Sequence, residues 1–161
     1  MTNLDPDTYF QHLRAYVNDQ YIIHRIFDTE VILPEHYFTS DNHKKKICKV
    51  CLILPDLGFV FKLDHDQFGH REKSKQPLFH FLDDTSKPWS KRCDLVIFYV
   101  NHRNFYADCI EFKSGSILGG AVREQLPVGA CWVKSLKTII EHYTGDSRRI
   151  CVSQSKSATQ C

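Results

Sequence analysis

Asp94, Glu111 and Lys113 are the residues of this chain whose types and spacing suit a single chemistry. Leu95 to Val100 and Phe105 to Phe112 are both apolar runs, and AsnHisArgAsn at 101–104 reads as the tight turn between two strands. A turn centred between His102 and Arg103 sets Asp94 directly across from Glu111. The two-residue period of a strand then brings Lys113 out on the face of Glu111. Two carboxylates held side by side repel each other, and a divalent cation between them removes that repulsion. Magnesium favours one or two carboxylates and keeps waters for a substrate phosphate and a nucleophile. A lysine beside the pair would orient or stabilise an attacking water. These are the parts of a metal-assisted phosphodiester hydrolysis.

The strands that must hold these groups are apolar on both sides. In this register Val96, Phe98, Val100, Phe105, Ala107 and Cys109 share the face of Asp94 and Glu111, while Leu95, Ile97, Ile110 and Phe112 point the other way. Such strands belong in the middle of a sheet that is covered on both faces. Charges there are costly unless paired or bound to a metal. The ordinary alternative is that Glu111 and Lys113 are neighbours on an exposed strand end and Asp94 merely begins a strand. The apolar hairpin, the acid opposite, and the Ser-Gly loop leading into a helix weigh for a site.

The arrangement of Asp94, then Glu111-Phe112-Lys113, then Arg123-Glu124-Gln125-Leu126 on a helix-like segment resembles the core of the PD-(D/E)xK nuclease superfamily. The resemblance covers about residues 91–143. It implies an α/β fold, a restriction-endonuclease-like core in the order αβββαβ with a mixed sheet flanked by helices. It also implies magnesium- or manganese-dependent cleavage of nucleic acid, DNA more often than RNA. Asp94 would stand for the first acid, Glu111 for the second, Lys113 for the lysine and Gln125 for the glutamine of some branches. Asp94 and Glu111 would hold the metal. A further acid from the first helix region is implied too, with Glu30 or Glu35 as candidates. Residue 93 is Cys where the motif's name has Pro, and Pro127 is unusual within a helix. Family members serve in restriction, phage defence and DNA processing, and this chain, which shows no sequence-reading module, is expected to act with a protein partner or as a homodimer. A member that has lost turnover would be a nucleic-acid- or protein-binding module.

Other elements follow from pattern. Asp5 and Pro6 make an N-cap and first turn, and Tyr9, Phe10, Leu13, Tyr16 and Val17 recur at helical spacing, so a helix is predicted over about 6–20. Ile47 to Leu54 and Phe59 to Leu63 are predicted to pair as a hairpin around ProAspLeuGly at 55–58. A polar insertion occupies 64–92, with a short strand at LeuPheHisPheLeu, 78–82. After Gly115 a helical stretch is expected, kinked or broken at Pro127, with Gln125 sharing the face of Val122 and Gly129. Arg149 to Ser153 reads as a last short strand and 154–161 as a frayed tail.

The 161 residues suit one domain, 1–153, and the apolar fraction of 42% suffices for one core. No apolar run approaches the roughly 18 residues of a membrane span, and the acidic start lacks the regions of a secretory signal. A soluble, cytoplasmic protein is expected. Seven cysteines leave at least one unpaired, which with their strand and helix placement favours a reducing compartment. The net charge of +2 is too small to argue for nucleic-acid binding. Local basic groups, among them Lys44–Lys46, Arg71, Lys73, Lys75 and Arg148 with Arg149, are candidates for phosphate contacts, and Trp89 for base stacking. Cys48 and Cys51 have zinc-ligand spacing, but no second pair completes four ligands.

Overall fold

A computed structural model describes residues 5–25, 29–38, 45–63, 93–113 and 120–158. Helix α1 (Pro6–Tyr16) begins where Asp5 accepts the backbone N–H groups of Asp7 and Thr8 at 3.0 and 3.2 Å. It is shorter than the 6–20 expected. Asn18 accepts from the N–H of Gln20 and starts a separate 3-10 turn, Asp19–Tyr21. Strands β1 (Ile22–Ile23), β2 (Glu30–Phe38), β3 (Lys45–Ile53), β4 (Gly58–Lys62), β5 (Leu95–Asn101) and β6 (Asn104–Lys113) follow, then α2 (Gly120–Thr144) and β7 (Ile150–Ala158).

The main sheet is mixed, in the order β1-β4-β5-β6-β7, with β6 and β7 parallel and the other pairs antiparallel. Parallel neighbours need a crossover. Helix α2 supplies it, so its first turns lie toward the end of β6. The molecule is therefore α/β.

The two faces of the sheet bury different partners. Phe59, Phe61, Val96, Phe98, Phe105, Ala107 and Cys109 face α1 and α2, packing on Tyr9, Phe10, Leu13, Leu126, Ala130 and Val133. Val60, Leu95, Ile97, Ile110 and Phe112 face Val31, Leu33 and Leu54. The alternation read in the sequence thus divides two apolar layers.

The hairpin expected between Ile47–Leu54 and Phe59–Leu63 is not formed. β3 pairs with β2 in a second, two-stranded sheet, Glu30 opposite Ile53 and Glu35 opposite Cys48, whereas β4 pairs with β1 and β5. β4 is buried on both faces and needs strands on both sides. β3 exposes Ile47, Lys49, Cys51 and Ile53 and buries only one side. The link between them changes layers: Leu54 N–H donates to Thr29 O at 2.8 Å, and Leu57 O accepts from Val100 N–H at 2.9 Å.

Helix α2 runs unbroken through Pro127, whose ring lies exposed, and ends at Gly145, where a φ of +71° allows the left-handed stop. β7 continues to Ala158, five residues past the Ser153 expected as its end. Gln154 to Ala158 are paired with β6, so this part of the expected 154–161 tail is a strand, and 159–161 lie outside the described residues. The insertion at 64–92, with its strand at 78–82, lies outside the described residues.

Candidate active site

His102 and Arg103 have φ values of 46° and 61°, the two left-handed residues of a type I′ turn. That turn fixes the β5–β6 register. Asn101 pairs with Asn104 and Leu95 with Ile110, and Asp94 and Glu111 are the next positions outward from that last pair. Glu111 is only 2% exposed, and it and Asp146 are the buried charged groups among the described residues. Its position follows from alternation with Ala107 and Cys109, on the face that α2 covers.

Asp94 is half-buried at the mouth of the hairpin. Its Oδ2 accepts the Phe112 N–H at 2.6 Å, and its main-chain oxygen accepts the Leu63 N–H at 3.1 Å. The carboxylate therefore continues the β5–β6 ladder one step past its last strand pair. A charge-assisted bond of this length fixes the orientation of the group.

Beneath the two acids lies a pair of buried thiols. Cys93 Sγ donates to the Leu95 carbonyl at 3.5 Å, and the Cys109 thiol is its neighbour. Contact with Cys109, then burial, then the charges of Cys109, Asp94 and Glu111 push the Cys93 thiol well above its ordinary value. Both carboxylates thus act electrostatically on one sulfur. α2 meets the thiols at Gly129. A Cβ there would overlap the Cys93 sulfur and lie 3.3 Å from that of Cys109. Gln125 is one helical turn before Gly129, and its Oε1 is buried. Because α2 runs back along β6, this turn lies toward the Glu111 end of the strand.

Lys113 ends β6 two positions beyond Glu111; its side chain lies outside the described residues. Glu30 is in the other layer. It lies on the face of β2 turned away from the buried Val31 and Leu33, and the main sheet separates it from Glu111. Glu35 occupies a register position on the same outer strand, with its side chain outside the described residues. The physical reason is that 30–38 forms a strand of the second sheet and no part of the first helix. Among the described residues no group of three His, Cys, Asp or Glu side chains is gathered closely enough to hold a metal ion.

One position was missed by sequence reasoning. Lys156 is the register partner of Glu111 on β7. The serine-rich composition around it hid the strand, and only the length of β6 beyond Glu111 hints that a neighbour needs to continue there. Of the basic groups, Arg148 and Arg149 are described and Lys45 and Lys46 are placed on β3 by their backbone, whereas Lys44, Arg71, Lys73 and Lys75, like Trp89, lie outside the described residues. Cys51 is exposed on β3. No helix among the described residues is long and apolar enough to cross a membrane.

Comparison with family models, with curated proteins and with solved structures finds no match to this chain.

Proposed function

We propose that this chain is a metal-dependent nuclease hydrolysing DNA phosphodiester bonds as an endonuclease. The observation that carries the reading is Glu111, a carboxylate 2% exposed on the helix-covered face of the sheet, one position beyond the Leu95–Ile110 end of the β5–β6 ladder, where Asp94 accepts the Phe112 N–H. A buried acid next to a second acid is costly without a cation. The donor set is hard carboxylate oxygen, which fits magnesium or manganese better than a soft metal. Asp94 and Glu111 would hold such an ion, which when bound supplies charge neutralisation at phosphorus and activation of the attacking water.

The protein's own groups divide the remaining work. Lys113 orients the water or stabilises charge developing on the phosphate, and Gln125 orients the site from α2. Cys93, Cys109 and Gly129 form an apolar floor that keeps bulk water from beneath the acids. With β1, β2 and β3 taken as additions between α1 and β4, the remaining order α1, β4, β5, β6, α2, β7 is compatible with the αβββαβ order of the restriction-endonuclease-like core.

The experiment is cleavage of plasmid and single-stranded DNA, and of RNA, with magnesium and with chelator. Glu111→Ala and Lys113→Ala are expected to lose at least about a hundredfold in rate, the scale of removing one preorganised electrostatic contact. Unchanged cleavage by both variants would place the activity elsewhere.

A second reading is favoured by one contact. Asp94 spends a carboxylate oxygen on the Phe112 N–H, a structural task that a catalytically inactive nuclease-fold module binding nucleic acid or a protein would retain. Titration with magnesium and manganese separates the two: the inactive module binds neither ion and hydrolyses nothing.

A further inference from the structure

Lys156 stands where the acidic site needs a positive charge. Glu111, 2% exposed on the helix-covered face, lies on β6, which has a neighbouring strand on each side. A carboxylate at that depth is tolerable when a base or a cation stands with it. On the β5 side the next position past the Leu95–Ile110 pair is Asp94, a second acid, whose Oδ2 is engaged by the Phe112 N–H. On the β7 side the register partner is Lys156. Register partners on adjacent strands belong to the same face, with the strands about 4.8 Å apart. Lys113 is two positions along β6, about 6.6 Å from Glu111 at the rise of a strand, so Lys156 is the nearer base by backbone position.

The rest of the molecule treats its acids in the same way. Asp146, the other buried charged group among the described residues, meets His12 at 2.8 Å, and Glu141 on α2 meets Lys137 one turn earlier. β7 also has little local reason to reach as far as Lys156. Ser153 to Ser157 have weak strand preference, and the stretch is a strand through its ladder with β6. The register runs without a break from Phe105–Ile150 to Lys113–Ala158, so no bulge moves Lys156 off the level of Glu111.

We propose that Lys156 is a positioning residue of the acidic site, its ammonium paired with the Glu111 carboxylate so that the buried acid is held in one orientation before any cation arrives. The pair itself follows from the register, and its place in a reaction rests on the phosphodiesterase reading above. A lysine suits the task, because a compact charge on a flexible stem can hold the carboxylate and still give one of its oxygens over to an ion.

The test is a double-mutant cycle of Glu111→Gln and Lys156→Met in urea denaturation, with chelator present and no DNA, so that neither metal nor substrate enters. Lys156→Met leaves a buried carboxylate without its base and is expected to lower the midpoint by at least about 1 M, the scale of breaking a buried ion pair. In the Glu111→Gln background the same substitution shifts it by less than half as much, and Lys156→Arg keeps the parental midpoint. If Lys156→Met fails to fold, adding Glu111→Gln is expected to restore folding, and a double variant that is also unfolded overturns the pair. In plasmid cleavage with magnesium, at a temperature where the variant is folded, Lys156→Met loses at least about tenfold in kcat while KM stays within about threefold, and Lys156→Arg restores the rate. A lysine with a structural role alone would leave kcat of the folded protein untouched. Equal midpoint shifts in the two backgrounds overturn the proposal, as does a Lys156→Met midpoint equal to the parent's. A loss confined to KM also overturns it and assigns Lys156 to the phosphate backbone instead. Coupled substitutions in a parent that cleaves nothing keep the pair and remove the phosphodiesterase reading. Additive substitutions, with cleavage still lost in Glu111→Ala, remove the pair and keep that reading.

Discussion

Asp94 serves the strand ladder and, in the proposed reaction, the phosphate, and the two tasks respond differently to substitution. Its Oδ2 meets a buried amide, the N–H of Phe112. Asp94→Ala leaves that donor unsatisfied and is expected to cost about 1–3 kcal/mol in urea denaturation. Asp94→Asn keeps an acceptor and costs less than half as much, while both variants lose cleavage. Equal destabilisation by the two would sink the account of Asp94 as an extension of the ladder. Two tyrosines set the alkaline limit of the fold. Burial, then the bond to Asp108, pushes Tyr99 up to about 12, and burial, then the nearby carboxylates of Glu141 and Asp146, raises Tyr9 as well. In both, the folded chain holds a proton that the unfolded chain releases near pH 10. The stability they contribute is complete below about pH 10 and is lost as pH rises toward 12. In a phenolate absorbance titration of the seven tyrosines, these two should ionise last and together with unfolding. Tyr99→Phe should remove one late group.

At the level of elements, close approach decides more than propensity. Gly129 lets α2 settle on Cys93 and Cys109. Gly129→Ala gains up to about 1 kcal/mol of helix propensity but forces a methyl group into the thiol pair. The expected result is a net loss of about 1–3 kcal/mol in urea denaturation, recovered in part when Cys93→Ala is added. A stabilised single variant would contradict the packing described. The β5–β6 register was legible before any coordinates, because strict alternation and a two-residue turn leave one pairing that buries both apolar sets. The partner of β3 was not legible. A turn signal between two apolar runs announces a change of direction but not a change of layer, and here Leu54 to Leu57 carries the chain from one sheet to the other. The end of β7 was hidden for a related reason: SerGlnSer has little strand preference of its own and is ordered by the ladder with β6.

For the molecule as a whole, the second sheet joins the first by packing of side chains, through Val31, Leu33 and Leu54 against Val60, Ile97 and Ile110. Leu33 is 5% exposed. Leu33→Ala is expected to cost about 2–4 kcal/mol. Trp132 reports on the other layer, where it stacks on Phe61 at 4.7 Å. If the layers fold as one unit, Trp132 fluorescence and far-UV circular dichroism shift to the same lower midpoint in Leu33→Ala. Separate transitions would make β2 and β3 an independent unit. The net charge of +2 carries little long-range attraction, so any steering of a polyanion depends on where arginines gather and not on their total.

The α/β character of the chain and the two-faced β5–β6 hairpin with its register were already fixed by local pattern, because alternation and turn chemistry act over a few residues and leave few solutions. Tertiary structure alone decided that Glu30 belongs to another layer and that Lys156 is in register with Glu111. It also decided that a glycine must face two thiols beneath the acids. Those relations join segments distant along the chain, and each is chosen by which apolar faces can be buried together, a competition that no local pattern records.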